Sequence, residues 1–99
     1  MVKAVQKMNV TVEWLDEGVL TLPECVNVKT VPDILGLVEK SARTFNVVDF
    51  VKVKQADSVA LAMLLSWQIS AGHPLKLRNL PSQLDTLVDL YDLEGVLQA

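Results

Sequence analysis

The fold is decided by residues 46–74, "NVVDFVKVKQADSVALAMLLSWQISAGHP". Its first part, "NVVDFVKV" (46–53), is short and rich in β-branched residues, which suits a strand inside a sheet. From Val59 to Leu65 every residue is apolar, and the run continues at helical length to Gly72, with Pro74 beyond as C-terminal punctuation. Between the two lie Asp57 and Ser58, residue types that satisfy the free N–H groups at a helix start. "LKLRNL" (75–80) then alternates, Leu75 and Leu77 against Lys76 and Arg78, and predicts a second strand. Strand, helix and strand in that order make a β-α-β unit, which implies parallel pairing.

Upstream, "NVTVEWL" alternates with Val10, Val12 and Trp14 on one side. Asp16-Glu17-Gly18 supplies turn chemistry, and "VLTL" (19–22) returns, so a hairpin is expected. "TVPDILGLVEKSAR" (30–43) predicts a helix, with Pro32 and Asp33 in its first turn and Lys40 and Arg43 near its end. Its buried stripe is expected at Val31, Ile34, Leu35, Val38 and Ala42. Downstream, "PSQLDTLVDLYDL" places Leu84, Leu87, Val88 and Tyr91 on one helix face, with Asp85, Asp89 and Asp92 on a solvated one. The order is ββαβαβα: a single α/β domain with a mixed sheet and helices over its apolar face. Residues 1–8 are expected to be a short extension ahead of a domain over 9–99, and Met8 is an alternative start.

Bulk properties limit the function. The chain has 99 residues, 51% of them hydrophobic, enough for one core without a metal or disulfide staple. Nine basic against twelve acidic residues give a net charge of −3, an ordinary solubilising balance that argues against nucleic acid as a partner. Cys25 is the only cysteine, which fits a reducing compartment. The apolar runs fall short of the roughly 20 residues that span a bilayer, and "MVKAVQKMNV" does not resemble a signal peptide, so a cytoplasmic location is expected.

Catalytic machinery is not evident. One His and one Cys do not make a His/Cys zinc site, and no cofactor is expected. No phosphate-binding glycine loop or nucleophile elbow is present. Ser58, His73 and an aspartate could be drawn as a triad, but nothing in their spacing favours it, and His73 in Gly-His-Pro suits a turn. A binding protein is therefore preferred over an enzyme.

At 100° per residue, Ala60, Leu61, Leu64, Leu65 and Ala71 cluster on one side of the central helix, the expected core face. Val59, Ala62, Met63, Ser66 and Ser70 gather opposite and are expected to face outward. That side carries no charge, which suggests a surface for another protein. Ser58 is expected to cap the helix, with Asp57 sharing the task.

A "VVDFVKV" strand, Asp-Ser at the head of an apolar helix, a short strand and a Leu-rich last helix together resemble the STAS domain, the family of sulfate transporters and anti-sigma factor antagonists. The resemblance runs from about Asn9 to Leu97. "ADSVALAMLL" and "LVDLYDLEGVL" are most similar to the MlaB-like branch, small cytoplasmic subunits of bacterial ABC transporters that traffic phospholipids and maintain outer-membrane lipid asymmetry. The resemblance implies a non-catalytic subunit that binds the transporter's ATPase subunit and reaches the inner membrane only through the complex. Asp57 and Ser58 fall on the family's acidic-hydroxyl pair, and Asp57, Ser58, Val59, Ala62, Met63 and Ser66 are the expected partner-binding residues. The alternative it implies is an anti-sigma factor antagonist controlled by phosphorylation of Ser58. One feature departs: where the family commonly has glycine after the hydroxyl residue, this chain has Val59-Ala60, which removes room for another backbone.

Overall fold

The computed structural model describes residues 3–7, 10–15, 18–41, 43–72 and 75–90, the side chains of residues 3 and 87–90 excepted. The hairpin is present. Strand β2 (Val10–Leu15) buries Val10, Val12 and Trp14 and half-buries the residues between, the period of two read from the sequence. It pairs antiparallel with β3 (Val19–Thr21), with Trp14 opposite Leu20. Gly18 at the turn has φ +72°, and a Cβ there would lie 3.0 Å from Asn46 Oδ1, so both the backbone angle and the space call for glycine. Residues of the expected extension form a further strand, β1 (Lys3–Lys7), antiparallel to β2 with Val5 opposite Val12. "KAVQK" offers one large apolar residue and so no alternation to read; its pairing comes from the free edge of β2.

The parallel half follows. Helix α1 (Val31–Ser41) leads to β5 (Val47–Asp49), and α2 (Val59–Ala71) leads from there to β7 (Lys76–Arg78). β5 pairs parallel with β3 and with β7, giving the five-stranded order β1-β2-β3-β5-β7, a mixed sheet as expected. β4 (Cys25–Val26) and β6 (Gln55–Ala56) form a separate two-stranded parallel sheet beyond the carboxyl ends of β3 and β5. The last described element is α3 (Ser82–Leu90), which buries Leu84 completely. Leu87, Val88 and Asp89 have no described side chains, and Tyr91, Asp92, Ala42, His73 and Met8 lie outside the described residues.

Helix α1 packs on β1, β2 and α2. Thr30 begins it: its Oγ1 accepts from Asn27 N–H at 3.0 Å and donates to the Cys25 carbonyl at 2.9 Å, and its carbonyl accepts from Ile34 N–H at 2.9 Å. Val31, Ile34, Leu37 and Val38 are buried, whereas Leu35, expected in that stripe, is only half-buried. The core joins these to Trp14, Leu20, Phe50, Leu64 and Leu75. No helix of the described residues is long and apolar enough to cross a membrane.

The strand expected over residues 46–53 is shorter than its composition suggested. Asp49 Oδ1 accepts from Val51 N–H and from Asn79 Nδ2, both at 2.9 Å, and this local turn chemistry ends β5. Lys52 and Lys54 therefore lie beyond the strand; Lys52 pairs with Glu13, and Lys54 lies 3.5 Å from Glu24.

Candidate functional site

The two-stranded sheet fixes where α2 starts. Cys25 pairs with Gln55 and Val26 with Ala56, and Asp57 N–H donates to the Val26 carbonyl at 3.2 Å. Asp57 then does the capping: its Oδ1 accepts from Val59 N–H at 3.0 Å and its carbonyl from Ala60 N–H at 3.0 Å. Ser58 already has helical dihedrals, φ −62° and ψ −19°, and its side chain makes no cap bond. The expected division is thus reversed. A residue inside the first turn cannot swing its side chain back to the amides that the preceding residue reaches, so the Ser58 hydroxyl stays exposed and has no hydrogen-bond partner among the described residues.

The far end of α2 is equally defined. Gly72 takes φ +75° and donates its N–H to the Gln68 carbonyl at 3.0 Å. Gln68 Oε1 accepts from Leu75 N–H at 3.3 Å, tying the helix end to the approach of β7.

Between these ends α2 buries Ala60, Leu61, Met63, Leu64 and Trp67. Met63 is a correction. It was expected outward but is 2% exposed, inside the core cluster, and has no surface to offer a partner. Leu65 and Ala71 depart the other way, half-buried and exposed where core positions were expected. The core direction of α2 lies roughly 50° from the one the apolar pattern suggests, because Trp67, the bulkiest side chain on the helix, turns inward. Ile69 is 82% exposed.

The solvent face consists of Ser58, Ala62, Ser66, Ile69 and Ser70, with Val59 and Leu65 half-buried along its borders. No charged residue occurs from Ser58 to Gly72. Ser58, Ala62, Ser66 and Ser70 follow one another at intervals of four, a row of small side chains that a ridge from another helix can fill. Beside it stands Ile69, a large apolar side chain that costs solvation while it stays uncovered.

At the carboxyl end of the sheet a cavity of about 590 Å³ is lined by Asn27, Val28, Lys29, Gln55, Ala56, Asp57 and Gln83. Val28, 68% exposed, lines this cavity together with Asp57 at the start of α2. Neither Val28 nor Ile69 was singled out from the sequence. Isolated apolar residues in a loop or on an apolar helix carry no periodic signal.

Among protein families, the model described as "Mlab, STAS domain" matches residues 10–98. That span includes every described element except β1. None of the curated proteins matches the chain.

Proposed function

Since the chain belongs to the MlaB-like STAS domain family, a family generally without catalytic activity, we propose that it is the binding subunit of a bacterial phospholipid ABC transport system and that it docks through α2 on the system's ATPase subunit. The observation that carries this reading is the exposed, chargeless face of a helix otherwise packed into the core. Small side chains at Ala62, Ser66 and Ser70 let a partner approach closely, and Ile69 is the apolar anchor. Docking favours whichever ATPase conformation makes the better contact, so the subunit acts by shifting a population and not by chemistry. The complex holds it at the cytoplasmic face of the inner membrane, with the phospholipid handled elsewhere in the assembly.

Affinity purification of the tagged chain from its own cells tests this. An ATP-binding-cassette ATPase with membrane components is the expected co-purifying set, lost on Ile69→Glu while the isolated domain keeps its circular dichroism. Recovery of a sigma-regulating kinase without any such ATPase overturns the reading.

One observation favours a second reading, an anti-sigma factor antagonist: the uncommitted hydroxyl of Ser58 at a helix start. Phosphorylation there adds nearly two negative charges to the end of the docking face and would eject a partner. Incubation with an anti-sigma kinase, followed by mass spectrometry at Ser58, distinguishes the two.

A further inference from the structure

A groove of about 690 Å³ is lined by the C-terminal half of α1, residues 43–45 and the C-terminal half of α2. Leu35, Val38, Phe45 and Trp67 form its apolar part, and Glu39 and Arg43 stand with it as the two charged groups. Phe45 and Trp67 meet edge to face, ring centres 5.3 Å apart at 83°, and Trp14 backs Phe45 at 5.6 Å, so the aromatic wall is braced by the core. Glu39 and Arg43 are both exposed, and neither makes an ion pair among the described residues.

From this geometry we propose that the groove binds a small zwitterionic amphiphile. Its apolar body would lie against Phe45 and Trp67, its anionic group on the Arg43 guanidinium and its cationic group on the Glu39 carboxylate. The volume falls within the range typical of small-molecule sites and is several times that of any one side chain a docked protein could insert. Two unpaired charges of opposite sign at one apolar cavity select a ligand that carries both. A purely anionic amphiphile leaves Glu39 facing like charge, and a purely cationic one does the same at Arg43. The chemistry is shared by single-chain zwitterionic lipids and by hydrophobic amino acids. Ser66 and Ser70 of the small-residue row also line the groove, so a docked partner would border the bound amphiphile, but the proposal does not rest on the docking of an ATPase.

The test uses the purified chain alone, with Trp67 as reporter. Dodecylphosphocholine, below its critical micelle concentration, and L-phenylalanine are titrated against tryptophan emission, beside dodecyl sulfate and dodecyltrimethylammonium at matched concentration. A saturable change with either zwitterion is the supporting result, and which of the two produces it identifies the source. Arg43→Gln and Glu39→Gln, both at exposed positions, should each weaken that zwitterion about three- to fivefold. The first should shift preference toward the cationic analogue and the second toward the anionic one. Trp67→Phe should remove the signal while Trp14 emission continues to report the fold. No saturable change with either zwitterion overturns the proposal, and so does equal binding of all three dodecyl compounds that neither rim substitution alters.

Discussion

Met63 and Ile69 lie on the same helix, both large and apolar, and the structure assigns them opposite environments: 2% exposed against 82% exposed. Truncating each to alanine therefore separates core from surface within one element. Met63→Ala removes a side chain from the core cluster and leaves a cavity, at a cost of about 2–5 kcal/mol. For a domain of this size each kcal/mol is worth about 4–8 °C in Tm, so a mid-range cost of about 3 kcal/mol lowers the midpoint by about 12–24 °C. Ile69→Ala removes little buried surface and gains the higher helix propensity of alanine, so its effect is within about 0.5 kcal/mol of zero. Thermal unfolding of the isolated chain, followed by circular dichroism, measures both. A Met63→Ala midpoint within a few degrees of wild type, or an Ile69→Ala midpoint lowered as far as the other, refutes the assigned orientation of α2. The same reasoning makes Met63→Glu a folding mutant: a buried carboxylate adds several kcal/mol to the lost packing, against a total stability of about 5–15 kcal/mol. Loss of a complex in that variant would say nothing about an interface, whereas Ile69→Glu keeps the test on the surface.

Asp57→Ala should cost about 1 kcal/mol in urea denaturation, while Ser58→Ala stays within about 0.5 kcal/mol, because the capping bond belongs to Asp57; equal losses would contradict that assignment. Gly18→Ala should destabilise by about 1–2 kcal/mol from its positive φ alone, and by more from the 3.0 Å approach of a Cβ to Asn46 Oδ1. Gly72→Ala, at a similar φ but in open space, should cost about 1 kcal/mol, so a larger loss at Gly72 than at Gly18 would be contrary to the geometry. Asp49→Ala removes the acceptor of both Val51 N–H and Asn79 Nδ2 and should cost about 1–2 kcal/mol by the same assay, with no loss expected if the turn after β5 holds without it.

The hairpin, the mixed sheet and the order of the helices were legible because each rests on a period that composition exposes: two in Val10, Val12, Trp14, and a polar pair opening a long apolar run at Asp57-Ser58. What escaped was set by context. β1 is a strand because β2 has an edge to pair with, not because "KAVQK" prefers that state. Asp49 ended β5 through a side-chain bond to a residue 30 positions away and another two positions on, which β-branched composition could not reveal. In the candidate site, Ala62, Ser66 and Ser70 are exposed as the sequence suggests, whereas Met63, expected outward with them, is buried. An amphipathic helix declares its buried side; α2 carries no charge on any side and large apolar residues on several, so its orientation had to come from the packing of Trp67 against Phe45 and the core.

Because Asp57 holds the free amides of α2, Ser58 stands at the head of the small-residue row with nothing else to do. Unmodified, it adds a compact, uncharged end to the proposed docking face. Phosphorylated, it would change the folded domain little: the helix N-terminus favours the phosphate by about 0.3–1 kcal/mol, and the neighbouring Asp57 carboxylate opposes it. The interface would suffer far more. Covering Ile69 yields about 2–3 kcal/mol of apolar stabilisation, whereas desolvating an unpaired phosphate beside it costs several kcal/mol, so the charge prevails. The docking reading and the phosphorylation reading thus depend on the same geometry and differ in whether a kinase can reach Ser58. The half-buried Val59 side chain beside Ser58 fills space that a glycine would leave open to an approaching backbone, which favours a face that stays docked over one that is switched.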